Sequence, residues 1–270
     1  MMAYPRIDPV FFRFGPLAFR WYGLMYAISF MTAVFLVRYM ALKRRLALSK
    51  DQVSDLILYA ALGVILGGRL GYILFYNPAY YFNNPFKLIA VWEGGMSFHG
   101  GLIGVLVAGY LFCRSKGLSF FDVADAAVVA VPVGLGLGRI GNFINGELFG
   151  RSTTVPWCMV FPAGGEVCRH PSQLYEAFLE GVVLFLILFS LARSGASRGV
   201  PFWSLFLFYG LFRFSIEFFR EPDPQLGLVL GPFSMGQLLS FPMFVLGLVM
   251  VVRSVRWGSR RMAHDLAKGA

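Results

Sequence analysis

The chain has 270 residues, 57% hydrophobic and only 14% charged, with a formal net charge of +10. About a quarter of the residues of a soluble domain are charged, so an ordinary soluble globule is excluded and a helical membrane domain is indicated. Such a basic balance would suit nucleic acid in a soluble chain. Here it fits the cytoplasmic bias of membrane proteins and anionic lipid, and no nucleic acid is expected as a partner.

Residues 1–20 hold Pro5, Pro9, Gly15 and Pro16, which break helix, and lack the basic start and small-residue cleavage site of a signal peptide. They read as an interfacial segment that dips Phe11, Phe12 and Phe14 into the headgroup layer. About 20 apolar residues cross a bilayer, and seven runs qualify, at 21–37, 55–76, 98–112, 124–143, 178–192, 203–219 and 236–252. The expected fold class is an all-α integral membrane protein with seven transmembrane helices in a single polytopic domain over 1–270. The absence of an internal repeat argues against a transporter built from inverted halves.

Lys and Arg set the orientation. One set of flanking segments carries fourteen: Arg38, Lys43, Arg44, Arg45, Lys50, Arg114, Lys116, Arg193, Arg198, Arg253, Arg256, Arg260, Arg261 and Lys268. The other carries seven: Arg6, Arg13, Arg20, Lys87, Arg151, Arg169 and Arg220. The N-terminus is therefore expected outside, and the C-terminus in the cytoplasm with a basic tail over 253–270. The long loop 144–177 is expected to form a small external cap. It holds Cys158 and Cys168, which either pair in an oxidising compartment or remain two unpaired thiols. Cys113 reads as a packing residue at the inner face.

Arg69, Arg139 and Arg213 lie inside apolar runs. On the insertion scale three such arginines cost about 8–10 kcal/mol, comparable to the stability of a whole domain. They need anionic partners, and few carboxylates lie near them in sequence, so an anionic substrate is expected.

Three polar clusters sit at the outer ends of the spans. Trp92-Glu93-Gly94-Gly95-Met96-Ser97-Phe98-His99-Gly100-Gly101 opens the third, where His99 is either a base, a phosphate ligand or an imidazole satisfied by water. The glycine-rich stretch from Gly134 to Arg151 closes the fourth, with Arg139 and Asn142 on one helical face and Asn145 and Glu147 beyond. No strand precedes these glycines, so a dinucleotide fingerprint fails; helix packing explains them but not the polar residues. Tyr209, Arg213, Glu217 and Arg220 follow a 4, 4, 3 spacing on one face. They form either a self-neutralising ladder or a net positive stripe, since two cations share one carboxylate. Arg20–Tyr26 opens the first span as an aromatic belt, and His170, in Arg169–Glu176, either caps a helix or binds. Serine-hydrolase and zinc signatures are missing, so neither a metal nor a cofactor is expected.

In their order, Arg20–Tyr26, Gly94–Gly101, Arg139–Arg151, His170–Glu176 and Tyr209–Asp223 resemble the bacterial prolipoprotein diacylglyceryl transferases, and Gly236–Ser240 resembles that family's final-span motif. The resemblance runs from about Ile7 to Ser240. It implies transfer of the diacylglyceryl group of phosphatidylglycerol to the lipobox cysteine of a preprolipoprotein, releasing glycerol phosphate. It also implies a bacterial cytoplasmic (inner) membrane, with the site in the periplasmic half. By the same resemblance Arg139 and Arg213 handle the phosphate and His99 is needed for activity. Tyr26, Asn142, Glu147, Gly150, Tyr209, Glu217 and Arg220 match further functional positions, with His170 a possible substrate contact. The competing classes are an anion channel or carrier, with arginines lining a pore, and a purely structural scaffold.

Overall fold

A computed structural model describes residues 2–5, 7–15, 17–76, 78–90, 94–222 and 227–269. Arg6, Trp92, Glu93 and Asp223, which enter the charge balance and clusters above, lie outside the described residues. In chain order the elements are β1 (Val10–Phe14), β2 (Leu17–Arg20), α1 (Trp21–Lys43), α2 (Lys50–Tyr76), α3 (Pro78–Asn83), α4 (Phe98–Ser115), α5 (Phe120–Ala127), α6 (Val131–Asn145), α7 (Ser172–Glu176), α8 (Leu184–Arg193), α9 (Val200–Ile216), β3 (Leu228–Leu230), β4 (Phe233–Ser234) and α10 (Met235–Gly269). A π-helical stretch, Ala177–Val183, joins α7 to α8. Among the described residues six helices are long and apolar enough to span a bilayer, and α9, at 17 residues, is a shorter apolar helix. The chain is a mostly helical, integral membrane protein.

The all-α expectation needs two additions. Within the expected interfacial segment β1 and β2 form an antiparallel hairpin, and β3 and β4 form a second. Proline and glycine bar a helix from the first stretch, and its Phe-rich strands pair across a turn at Gly15, whose φ of 56° suits glycine. Its phenylalanines remain exposed, as an interfacial ribbon would require.

Two compact units make up the chain, Arg45–Ala124 and Met1–Arg44 with Asp125–Ala270. In the smaller unit α2 packs on α4 through glycines spaced four apart. A Cβ added at Gly67 would lie 2.7 Å from the Gly104 Cα, and one at Gly71 would lie 2.8 Å from the Gly100 Cα. Small residues at this spacing let helix backbones touch in lipid, where dispersion replaces the hydrophobic drive.

Arg69 also belongs to this unit, and the expectation that it needs an anion is wrong. Its Nε donates to the Leu88 carbonyl (3.0 Å) and its Nη1 to that of Gly94 (2.6 Å), while Nη2 donates to the Lys87 carbonyl. The guanidinium stands 5.0 Å from the Tyr81 ring centroid. Carbonyl dipoles and a π face satisfy this cation, which staples the loop after α3 to the buried side of α2.

In the larger unit α1 packs on α6, and α9 packs on α10. Asp125, fully buried, accepts from the backbone N–H of Gly199 (2.8 Å) and of Phe202 (3.0 Å), so it caps the start of α9 from another helix. Arg44, just past α1, neutralises it at 3.2 Å and also donates to the Ala192 carbonyl at the end of α8 (3.1 Å). One buried ion pair thus ties the ends of three helices.

The loop expected over 144–177 is shorter than that, because helix resumes at Ser172. It is closed by a Cys158–Cys168 disulfide and by backbone pairing of Met159 with Arg169. Tyr4, Phe143, Phe149 and Phe161 make a small aromatic core beneath it. Cys113 is free and buried, as expected of a packing residue.

Candidate active site: a buried arginine–glutamate network

Four sequence-picked residues, Arg139, Arg213, Glu217 and Arg220, converge in the larger unit on two carboxylates that sequence reasoning passed over, Glu176 and Glu180. Helix α6 brings Arg139. Its glycines thin the helix so that Gly136 meets Gly181, whose Cα lies 3.0 Å from a Cβ built at Gly136. That close approach sets the π-helical stretch, and with it both glutamates, against α6. Helix α9 and the turn after it bring Tyr209, Arg213, Glu217 and Arg220.

Glu176 is the hub. Its Oε2 pairs with Arg139 Nε, its Oε1 lies 3.0 Å from Arg213 Nη1, and Arg220 Nε stands 3.9 Å away. Arg213 Nη2 lies 2.8 Å from Glu217 Oε2, and Arg220 Nη1 lies 3.6 Å from Glu217 Oε1. Glu180 sits behind, 3.9 Å from Arg139 and 4.0 Å from Arg213. Neither Glu176 oxygen makes an aligned hydrogen bond, so charge rather than directional bonding holds the cluster.

The expected cationic interior therefore needs correcting: three guanidinium groups face three carboxylates. Glu217 pairs with both arginines of its ladder, and the second compensating charge comes from across the bundle. The cluster is not closed, however. Both Nη atoms of Arg213 are committed to glutamates. Arg139 approaches both glutamates through Nε, its side chain is 20% exposed, and among the described residues its two Nη atoms make no hydrogen bond to a protein acceptor. That planar fork is the uncommitted donor edge of the network.

The other residues expected at the site fall into separate groups. Asn142 Nδ2 (2.9 Å) and Asn145 Nδ2 (3.1 Å) both donate to Glu147 Oε1. The Glu147 backbone carbonyl accepts from the buried Gln173 (2.6 Å), a residue that sequence reasoning also missed. Tyr26 is exposed, and its hydroxyl is 3.5 Å from that of Tyr22. Tyr22, likewise missed, stacks where Gly141 has no side chain, within electrostatic reach of Arg139 and Glu147. Tyr209 is buried one turn before Arg213, within electrostatic reach of Glu180.

Gly150 fits by size alone. A Cβ there would lie 2.5 Å from the Phe219 carbonyl oxygen and 2.7 Å from the His170 Cβ. The close approach lets Gly150 pair with Arg220 as an isolated bridge, while Arg151 Nε donates to the Arg220 carbonyl (3.0 Å). The cap thus fixes the backbone that carries Arg220. His170 accepts from Gly150 N–H through its carbonyl (2.8 Å). Its ring nitrogen Nδ1 lies 3.1 Å from the Tyr175 hydroxyl, which itself accepts from the Trp157 indole (2.6 Å). The Tyr175 hydroxyl keeps its own proton to give, and a neutral imidazole protonated on Nε2 accepts it at Nδ1. Burial lowers the His170 pKa below the ordinary 6.5, consistent with that form. His99 opens α4 in the smaller unit, where Ser97 caps the helix and the Phe98 ring stands edge-on at 5.4 Å.

No group of three or more His, Cys, Asp or Glu suited to a metal occurs among the described residues.

Comparison with known proteins completes the assignment. Residues 9–253 match the family model described as prolipoprotein diacylglyceryl transferase. A phosphatidylglycerol–prolipoprotein diacylglyceryl transferase of Geobacter sulfurreducens is 65% identical over 93% of this chain and 96% of its own length. The enzymes so named from Bordetella avium (52% identical, 97% and 100% covered) and Aliivibrio salmonicida (54%, 96% and 90%) are similar along nearly their whole lengths too. With almost all of its spans inside these matches, the chain belongs to the prolipoprotein diacylglyceryl transferase family of membrane transferases.

Proposed function

We propose that the chain moves the diacylglyceryl group of phosphatidylglycerol onto the lipobox cysteine of a preprolipoprotein, with the lipid phosphate held on the free edge of Arg139. The observation that carries this reading is the asymmetry of the network. Arg213 and Arg220 are tied to glutamates, and one guanidinium fork remains for a tetrahedral anion.

The chemistry balances with the chain's own groups. The cysteine sulfur forms a bond to the terminal glycerol carbon as the carbon–oxygen bond to phosphate breaks, and the electron pair leaves with glycerol phosphate. Negative charge grows on the departing phosphate, so a fixed guanidinium in a water-poor site favours the transition state over the ground state. Thiolate is the nucleophile, and His99 takes the thiol proton. Glu176 and Glu217 hold Arg213, and the Glu147–Asn142 pair with Tyr26 borders the Arg139 end. No step needs a metal or a cofactor.

In this reading α9, extended by the polar turn after it, is the seventh span. The arginine and lysine bias then puts the N-terminus and the 144–177 cap in the periplasm and the 253–270 tail in the cytoplasm of a bacterial inner membrane. The network lies in the periplasmic half of a single polytopic domain, where a translocated lipobox is within reach. A pore is disfavoured because the Arg139–Arg213 cluster is nearly neutral and Arg69 is spent on carbonyls. Incubating the purified protein with phosphatidylglycerol and a lipobox peptide must add one diacylglyceryl mass to the cysteine. An unmodified peptide, or transfer without loss from the Arg139→Ala variant, refutes the reading.

A further inference from the structure

Glu180 has no part in the reaction just described, yet it is fully buried inside the network. With every group ionised, Arg139, Arg213 and Arg220 balance Glu176, Glu180 and Glu217. A docked phosphodiester then leaves one negative charge uncompensated in a medium of low dielectric, which is strongly unfavourable. One carboxylate must give way, and the geometry singles it out. Glu176 has a guanidinium nitrogen at 3.0 Å and Glu217 has one at 2.8 Å, whereas the nearest cations to Glu180 stand at 3.9 and 4.0 Å. Neither Glu180 oxygen has a hydrogen-bond partner among the described residues; the same holds for Glu176, but its cations are nearer. Its backbone lies in the π-helical turn, a distortion that is frequent at functional sites.

Resting on the phosphate-clamp reading, we propose that Glu180 is protonated while a lipid phosphate sits on Arg139, so that the network meets a singly charged phosphodiester with one net positive charge. Glu180 is then a positioning residue: it sets the charge that Arg139 presents and touches no reacting atom. The groups facing it are Arg139 from α6, Tyr209 and Arg213 from α9, Glu176 from the preceding turn, and Arg220 farther off. The arginines do not lose their protons, and Glu176 and Glu217 each have a guanidinium nitrogen within 3.0 Å, so the proton is left to Glu180, the carboxylate farthest from a cation.

The test is proton uptake on binding of short-chain phosphatidylglycerol, read by calorimetry in two buffers of different ionisation enthalpy. The wild type, Glu180→Gln and Arg139→Ala are compared in the same detergent, from about pH 6 to about pH 9. The wild type should take up a proton toward the alkaline end and lose affinity there by up to about tenfold per pH unit, the limit for one linked proton. Glu180→Gln, a shape-matched stand-in for the neutral acid, should bind with no such uptake and no alkaline decline. Protons taken by His99 or His170 are common to both proteins and cancel in the difference. Equal uptake in the wild type and Glu180→Gln, with Arg139→Ala failing to bind, overturns the role of Glu180 and leaves the clamp standing. Undiminished binding by Arg139→Ala overturns the clamp itself. If Glu180→Gln does not fold, Glu180→Leu, also uncharged, takes its place in the same comparison with the same deciding outcomes.

Discussion

Arg139 and Arg213 look equivalent in the sequence, each a lone arginine in an apolar run, but truncating them should fail in opposite ways. Arg139→Ala removes two Nη donors that make no hydrogen bond to protein and the pairings to Glu176 and Glu180, both of which retain Arg213, at 3.0 and 4.0 Å. Losing a single preorganised donor to developing charge costs about 2.7–4 kcal/mol in the transition state, so kcat should fall at least about 100-fold. Folding should suffer little. Arg213→Ala instead leaves Glu176, Glu180 and Glu217 facing only Arg139 and Arg220. Removing one partner from a buried pair costs about 3–5 kcal/mol, a large share of a domain's stability. The assay pairs the mass shift of a lipobox peptide with thermal unfolding in detergent. Arg139→Ala should melt close to the wild type and turn over at about a hundredth of its rate or less, whereas Arg213→Ala should melt early. Should Arg139→Ala keep more than about a tenth of the activity, or melt as early as Arg213→Ala, the division of labour between clamp and scaffold is wrong.

Other outcomes follow from the surroundings. Gly67→Val places side-chain atoms against the Gly104 backbone, and overpacking of this kind should cost about 1–3 kcal/mol, read as a lower unfolding temperature in detergent. Asp125→Ala strands Arg44 and uncaps α9, so it should lose about 3–5 kcal/mol, with new proteolysis near residue 199 as the readout. Because the folded protein binds the His170 proton less readily than the unfolded chain does, this group's contribution is constant above the ordinary pKa of 6.5. Stability should fall as pH drops through that value toward the lower folded one. His170→Gln should flatten the acid side of the unfolding-temperature profile, and an unchanged profile refutes the assignment.

Much of this molecule is legible from period and polarity. The helices begin and end close to where hydropathy places them, but only Tyr209 and Arg213 of the ladder lie within α9, and Glu217 and Arg220 reach the same cluster from the turn after it. The carboxylates were missed for a definite reason. Glu176 follows a proline and several polar residues, so it reads as a helix start at the headgroups. Glu180 was the better clue: it is an acid within the apolar run from Ala177 to Leu188, and the rule that flags a membrane arginine flags it equally. Tyr22 stands four residues before Tyr26 and was open to the same spacing argument. Arg69 was beyond reach, because its acceptors are carbonyls of a loop whose path side-chain patterns do not encode. The hairpin at 10–20 shows a further limit, since proline and glycine forbid helix without saying whether the chain on either side will pair.

The way the charges are distributed along the chain has a consequence for how the protein is made. The α6-to-α8 hairpin enters the bilayer with one arginine and two glutamates, and the α9 region follows with two arginines and one glutamate. Each insertion step is unbalanced by a single unit, with opposite signs, so the earlier hairpin waits in the membrane for the later helix to cancel it. Ribosomes stalled before residue 200 should therefore leave a nascent protein prone to quality-control proteases, however hydrophobic its completed helices are.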